Sequence, residues 1–265
     1  MKILATVIAV LFLIVFRSPA ETTNILSDAE IQGRELVQQI LEQVPVTNST
    51  ITGVLNIRDS KGDRTSYPLE CQIVVSATDW QNSYEVVRTN ELKTGESYPL
   101  KEKIIISHVL NQTNCYQHEI QTGDFFHQQK MASHILGTKE TLSDLEIMKP
   151  FFESDFLVAD LGLEFFHWPA QRLLKHEVRR SRGCAVLEST NPYSFNGYAR
   201  VVSWIDSESL GIIHAEAFDS QNKLLKEFDP KSFKKVNGQW ELQEMEIRNV
   251  QTGSRTRLEF DLKSQ

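Results

Sequence analysis

From residue 49 onward the chain runs in short stretches of alternating apolar and polar side chains, separated by clusters of Asn, Asp, Gly and Thr. In ITGVLNIRD, Ile51, Leu55 and Ile57 fall on one face and Thr52, Asn56 and Arg58 on the other, the two-residue period of a strand with one buried side. SKGD then makes a turn. LECQIVVSA, SYEVVRT, KIIISHVL and CYQHEI follow at spacings that predict an antiparallel meander. The pattern resumes further on with CAVLES, YARVVSWID, GIIHAEAFD, KLLKEF, WELQEMEIRN and SRTRLEFDL. In the last of these, Ser254, Thr256, Leu258, Phe260 and Leu262 share one face, while Arg255, Arg257, Glu259 and Asp261 share the water-facing one.

Two stretches depart from this period. Ser27-Asp28-Ala29-Glu30 is a capping box, and Leu36, Val37, Ile40, Leu41 and Val44 follow at helical spacing before Pro45. A helix over about Asp28 to Val44 is predicted. The second departure runs from about 124 to 171, where helical stretches are broken by Pro150 and Pro169. Phe151, Phe152, Phe156, Phe165, Phe166 and Trp168 crowd its second half, against 9% aromatic residues in the chain as a whole. These side chains are either helices packed into a core or contacts for a ligand; both hold if the segment plugs a concave sheet.

Residues 1–20 read as a secretory leader: Lys2, an apolar run from Ile3 to Phe16, then Ser18 and Ala20 as the small residues before a cut. Fourteen residues at ~1.5 Å each span roughly 21 Å, short of a bilayer's hydrocarbon core of about 30 Å. The reading is therefore an exported, soluble protein beginning at Glu21. Losing residues 1–20 removes Lys2 and Arg17 and no acid, leaving 26 basic against 35 acidic side chains, net −9. That charge disfavours nucleic acid and anionic lipid surfaces. With no Gly/Ser/Pro-rich linker, residues 21–265 read as a single domain. Cys71, Cys115 and Cys184 allow three pairings of one disulfide, or none.

No familiar catalytic pattern is present: GxSxG, HExxH, GxGxxG and the P-loop are all missing from the sequence. Cys115 and His118 have ligand-like spacing, but an offset of three on a strand sends them to opposite faces. Asp59 and Asp63 flank a hairpin and read as turn chemistry rather than a calcium loop. Asn48 and Asn111 head glycosylation sequons. Neither a catalytic residue, a metal site nor a cofactor is expected, and the chain does not read as an enzyme.

An N-terminal helix and a long antiparallel meander interrupted by an aromatic-rich insertion resemble the periplasmic lipoprotein carriers. Over residues 150–262, FLVADLGLEFFHWP, GCAVLESTNP, YARVVSWID, GIIHAEAFD and NGQWELQEMEIRNVQTGSRTRLEF resemble the LolA-like outer membrane lipoprotein-sorting family. The resemblance implies a mainly β fold with a helical lid: an unclosed, strongly curved antiparallel half-barrel, its lid in the segment from about 124 to 171. It implies a carrier that binds lipoprotein acyl chains or another apolar ligand. It also implies partners in an inner-membrane lipoprotein exporter and an outer-membrane acceptor. The alternative within the same fold is an envelope sensor or adaptor that binds lipid or peptide. Strand parity then nominates Ile213, Ala215 and Ala217, Met245 and Ile247, and Leu258 and Phe260 as an apolar lining, with Phe156, Leu161 and Phe165 facing them from the lid. A polar cluster inside such a lining is not expected from parity. The carriers' lid-latching arginine would fall near Arg58, whose parity points it to solvent, so that role is not carried over.

Overall fold

The computed structural model describes residues 26–91, 97–110, 112–122, 137–193, 197–236 and 239–262. The leader, its cut before Glu21, the Asn111 sequon and the first part of the proposed lid (124–136) lie outside the described residues. No helix among the described residues is long and apolar enough to cross a membrane.

Helix α1 spans Asp28–Leu41 and is capped as its sequence requires: the Ser27 hydroxyl accepts from the Glu30 amide, and the Glu30 carboxylate accepts from the Ser27 amide at 2.8 Å. It stops three residues before the expected Val44. Pro45 has no N–H to give the Leu41 carbonyl and crowds it, so the last turn cannot close. Gly33 lets α1 lie directly on the sheet edge, where a Cβ would come within 2.7 Å of the Arg172 backbone nitrogen.

Among the described residues thirteen strands form one antiparallel sheet: β1 (Ser49–Arg58), β2 (Arg64–Val75), β3 (Asp79–Glu91), β4 (Ser97–Val109), β5 (Cys115–Thr122), β6 (Gly137–Thr141), β7 (Ala170–Arg179), β8 (Arg182–Thr190), β9 (Arg200–Asp206), β10 (Ile212–Phe218), β11 (Leu224–Val236), β12 (Gln239–Asn249) and β13 (Arg255–Phe260). Their order is β6-β5-β4-β3-β2-β1-β13-β12-β11-β10-β9-β8-β7, an open ribbon of two meanders. The meanders meet where β1 pairs with β13, and Leu55 opposite Leu258 is wholly buried at that seam.

Because β6 and β7 are the two outer edges, the chain between them must travel across the whole sheet. Residues 142–169 do so over one face. Phe152 packs edge-on to Tyr67 of β2 at 4.7 Å, the Asp155 amide donates to Thr256 of β13 at 2.8 Å, and Lys226 of β11 donates to the Asp155 carbonyl. Strands from both meanders reach this one segment, so the sheet curves around it. The unclosed half-barrel expected from the resemblance is the observed fold.

The crossover is less helical than predicted. Beyond turns it holds one short α-helix, α2 (Val158–Leu161), and a 3-10 turn over Glu164–His167. Phe152, Glu153 and Leu163 take left-handed backbone angles, which end each helical attempt. Strands β6 and β7 carried no strand signal in the sequence. β7 is an edge with Arg172, Lys175, His176 and Glu177 in a largely exposed row, and only Gln171 is buried. Hydrophobic alternation cannot announce a strand whose second face meets water.

The three cysteines are free thiols. Asp59 accepts from the Lys61 and Asp63 amides, both at 2.9 Å, which is turn chemistry. His118 lies 3.2 Å from Glu102 and 3.5 Å from Glu140.

Candidate functional site

The curved sheet and its crossover leave a cavity of about 2010 Å³, closed at one side by Val37, Ile40 and Leu41 of α1. Pockets for drug-sized ligands hold roughly 300–1,000 Å³. This space is larger and mostly apolar, with Trp80, Phe165, Trp168, Phe228 and Phe260 among its walls.

Nine of the ten residues nominated by parity border it: Phe156, Leu161, Phe165, Ile213, Ala215, Ala217, Met245, Ile247 and Phe260. Leu258 does not. It is fully buried within the core that contains Leu55 and the crossover phenylalanines, so it is permanent packing. Ile213 borders the cavity, but it is the unpaired residue where the β9–β10 register shifts between Ile212 and His214. It also packs on a second apolar cluster of Cys184, Val186, Val202 and Trp204, so strict alternation does not describe it. Ala215 and Ala217 sit opposite Phe228 and Lys226 of β11, and their short side chains leave the space open.

The crossover is tied to the cavity wall on two sides. On the β3–β5 side, the Tyr84 hydroxyl donates to the Leu161 carbonyl at 3.4 Å and the Asn114 amide to the Gly162 carbonyl at 2.9 Å. The Tyr116 hydroxyl donates to Glu164 at 2.9 Å. Gly162 is needed for space rather than for its backbone angle, since a Cβ there would stand 2.3 Å from the Tyr116 oxygen. Burial pushes the Glu164 carboxyl up to about 7, against the Tyr116 and Asn114 bonds that lower it. His108, stacked on Trp80 at 3.7 Å and 2.7 Å from the Asn82 side-chain oxygen, is lowered by burial to about 4. It is therefore neutral near pH 7.

On the β11–β13 side, Asp155 accepts from Ser254 at 2.6 Å and from Thr256 at 3.0 Å. Asp160 accepts from the Leu157 amide at 2.7 Å and from the Tyr198 hydroxyl at 3.0 Å. Asp160, Tyr198 and Lys226 all border the cavity. This corrects the expectation of an interior without a polar cluster. Lys226 faces inward because it stands two residues from Phe228 on one face of β11, in unbroken register opposite Ala217; the register shift comes only beyond it, at Leu225. In KLLKEF the charge of Lys226 hides what its parity with Phe228 gives. Arg58 is exposed, as its parity predicts.

A family model described as an uncharacterized protein matches residues 137–263. No curated protein matches the chain. Among solved structures, one similar in fold is a domain from Vibrio parahaemolyticus described as outer membrane lipoprotein-sorting, with 16% identity over 88% of this chain and 92% of that one and a TM-score of 0.63. A DUF1329 family protein from Desulfovibrio piger is 18% identical over 89% of this chain and 92% of its own, with a TM-score of 0.61. A LolA superfamily protein from Nitrosomonas europaea is 13% identical over 89% and 93%, with a TM-score of 0.53.

Proposed function

The chain has the fold of the LolA superfamily and of outer membrane lipoprotein-sorting domains, and from that premise we propose that it is an exported, soluble carrier that shelters lipoprotein acyl chains across the periplasm. Its partners on this reading are an inner-membrane exporter and an outer-membrane acceptor. The observation that carries the reading is the roughly 2010 Å³ apolar cavity roofed by an aromatic crossover. Each methylene removed from water is worth ~0.8 kcal/mol, so a sixteen-carbon chain left in water costs on the order of 12 kcal/mol. A cavity of this size and lining meets that need by burial alone, without covalent chemistry.

The residues proposed to touch the chains are the nine that border the cavity, with Leu258 behind them. Ala215 is the most direct probe because it borders the cavity with a short side chain and is only 6% exposed. Ala215→Trp should weaken binding of a fluorescent fatty-acid ester at least tenfold while the far-ultraviolet circular dichroism and cooperative unfolding persist. Unchanged affinity in a folded variant would remove the cavity as the binding site.

A further inference from the structure

Within its apolar walls the cavity carries one half-buried lysine, Lys226, without an ion-pair partner among the described residues. Lys226 donates to the Asp155 main-chain carbonyl and lies 5.5 Å from the centre of the Tyr198 ring. An ammonium has three N–H donors, so two remain for something inside the cavity. The neighbouring carboxylates are already engaged: Asp155 by Ser254 and Thr256, Asp160 by Tyr198 and the Leu157 amide.

The charge of the group selects the ligand. One lysine stands among two aspartates, so the cluster is neutral if Asp160 is protonated and negative if it is not. Burial works on both partners, pushing the Asp160 carboxyl up and the Lys226 ammonium down. A carboxylate or phosphate brought into this apolar space would meet two acidic neighbours and lose its water. A carbonyl oxygen brings an acceptor and no charge.

We propose that Lys226 anchors the polar end of a bound acyl chain through an uncharged ester or amide carbonyl, so that the cavity prefers acylated esters and amides to free fatty acids or acidic phospholipids. The inference deepens the carrier reading and rests on it, because it presumes an acyl chain in the cavity. It also fits cargo whose chains are all ester- or amide-linked, whereas a scavenger of free fatty acids would need a net positive anchor.

The test is displacement of an uncharged fluorescent hydrocarbon probe from the full mature chain at pH 7. The competitors are dodecane, monolaurin and laurate, which share a chain length and differ at the end. Monolaurin should compete at about tenfold lower concentration than laurate, because the carboxylate must give up its water beside two acidic neighbours. Lys226→Met should raise the monolaurin concentration about tenfold and leave dodecane unchanged, whereas Lys226→Arg should keep the preference. Laurate competing as well as monolaurin overturns the inference in the unaltered protein, whether or not the variant folds. A Lys226→Met protein that keeps the monolaurin-to-dodecane ratio overturns it too. In both cases dodecane still displaces the probe and the acyl cavity stands. If no competitor displaces the probe, the carrier reading falls, and this inference with it.

Discussion

The two anchorages of the crossover differ in kind. At Asp155 it is held in the middle of the sheet, where Ser254 and Thr256 satisfy the carboxylate, Thr256 is wholly buried, and the flanking Phe151 and Phe156 are among the most deeply buried side chains. At Gly162 and Glu164 it is held at the cavity wall by Tyr84, Asn114 and Tyr116. There burial raises the Glu164 carboxyl to about 7. Burial with full hydrogen bonding makes a permanent attachment. Burial that works against a carboxylate's charge makes one that should open at lower cost. Both portions of the crossover pack into one core, so it is the wall anchorage that marks 157–168 as the portion expected to yield first.

The largest effect should come from breaking the central anchor. Thr256→Val takes a donor from the Asp155 carboxylate and an acceptor from its amide, both buried. The expected loss is about 3 kcal/mol of global stability in urea unfolding, because a buried carboxylate left short of donors costs more than an ordinary hydrogen bond. A loss no larger than that expected at the cavity wall, about 2 kcal/mol, would show that the central anchorage is not the stronger one.

At the cavity wall the expected cost is smaller. Gly162→Ala forces a Cβ against the Tyr116 hydroxyl, which must swing off Glu164. Overpacking of this kind costs about 2 kcal/mol. Tyr116→Phe removes the clashing oxygen, so the double variant should cost less than the two single changes added together. Strict additivity would show that the two residues do not meet.

The smallest effect is a pH dependence that tells the wall groups apart. Glu164 has a folded pKa raised from 4.5 to about 7, so its contribution is present in acid and is lost as pH rises between those values. His108 is depressed from 6.5 to about 4, so its contribution is present above 6.5 and is lost as pH falls toward 4. The two oppose each other through the acid range. In Glu164→Gln the decline between pH 4.5 and 7 should become shallower than in the unaltered protein, leaving the slopes of His108 and of the other shifted groups, His118 and His167 among them. A pH profile unchanged by the substitution would mean that Glu164 is not raised by its burial at the wall.

Much of the sheet was legible because its strands carry one greasy face. β13 reads correctly position by position, from buried Thr256 and Leu258 to Leu262. The capping box of α1 was equally plain. What escaped were features that depend on partners far along the chain. β7 is a strand because β8 pairs with it and α1 covers it, not because of its own pattern. The inward place of Lys226 shows only once Phe228 is known to face the cavity opposite Ala215, and the second role of Ile213 depends on a shift against β9. The aromatic crossover was visible as a density of phenylalanines. That it runs edge to edge, and so must span the concave face, follows only from β1 joining β13.

The central claim is that one portion of the crossover yields to an acyl chain while the other stays fixed. Hydrogen exchange on residues 21–265, with and without a monoacyl ester, tests it most directly. Amides around Leu161, Gly162 and Phe165 should exchange faster than those of β13 around Leu258, and their rates should change when the ester is added, while those around Phe156 remain as protected as the strand. Equal protection along 151–168, indifferent to the ester, would contradict the account: the whole crossover would be core, and the cavity would have no way to open.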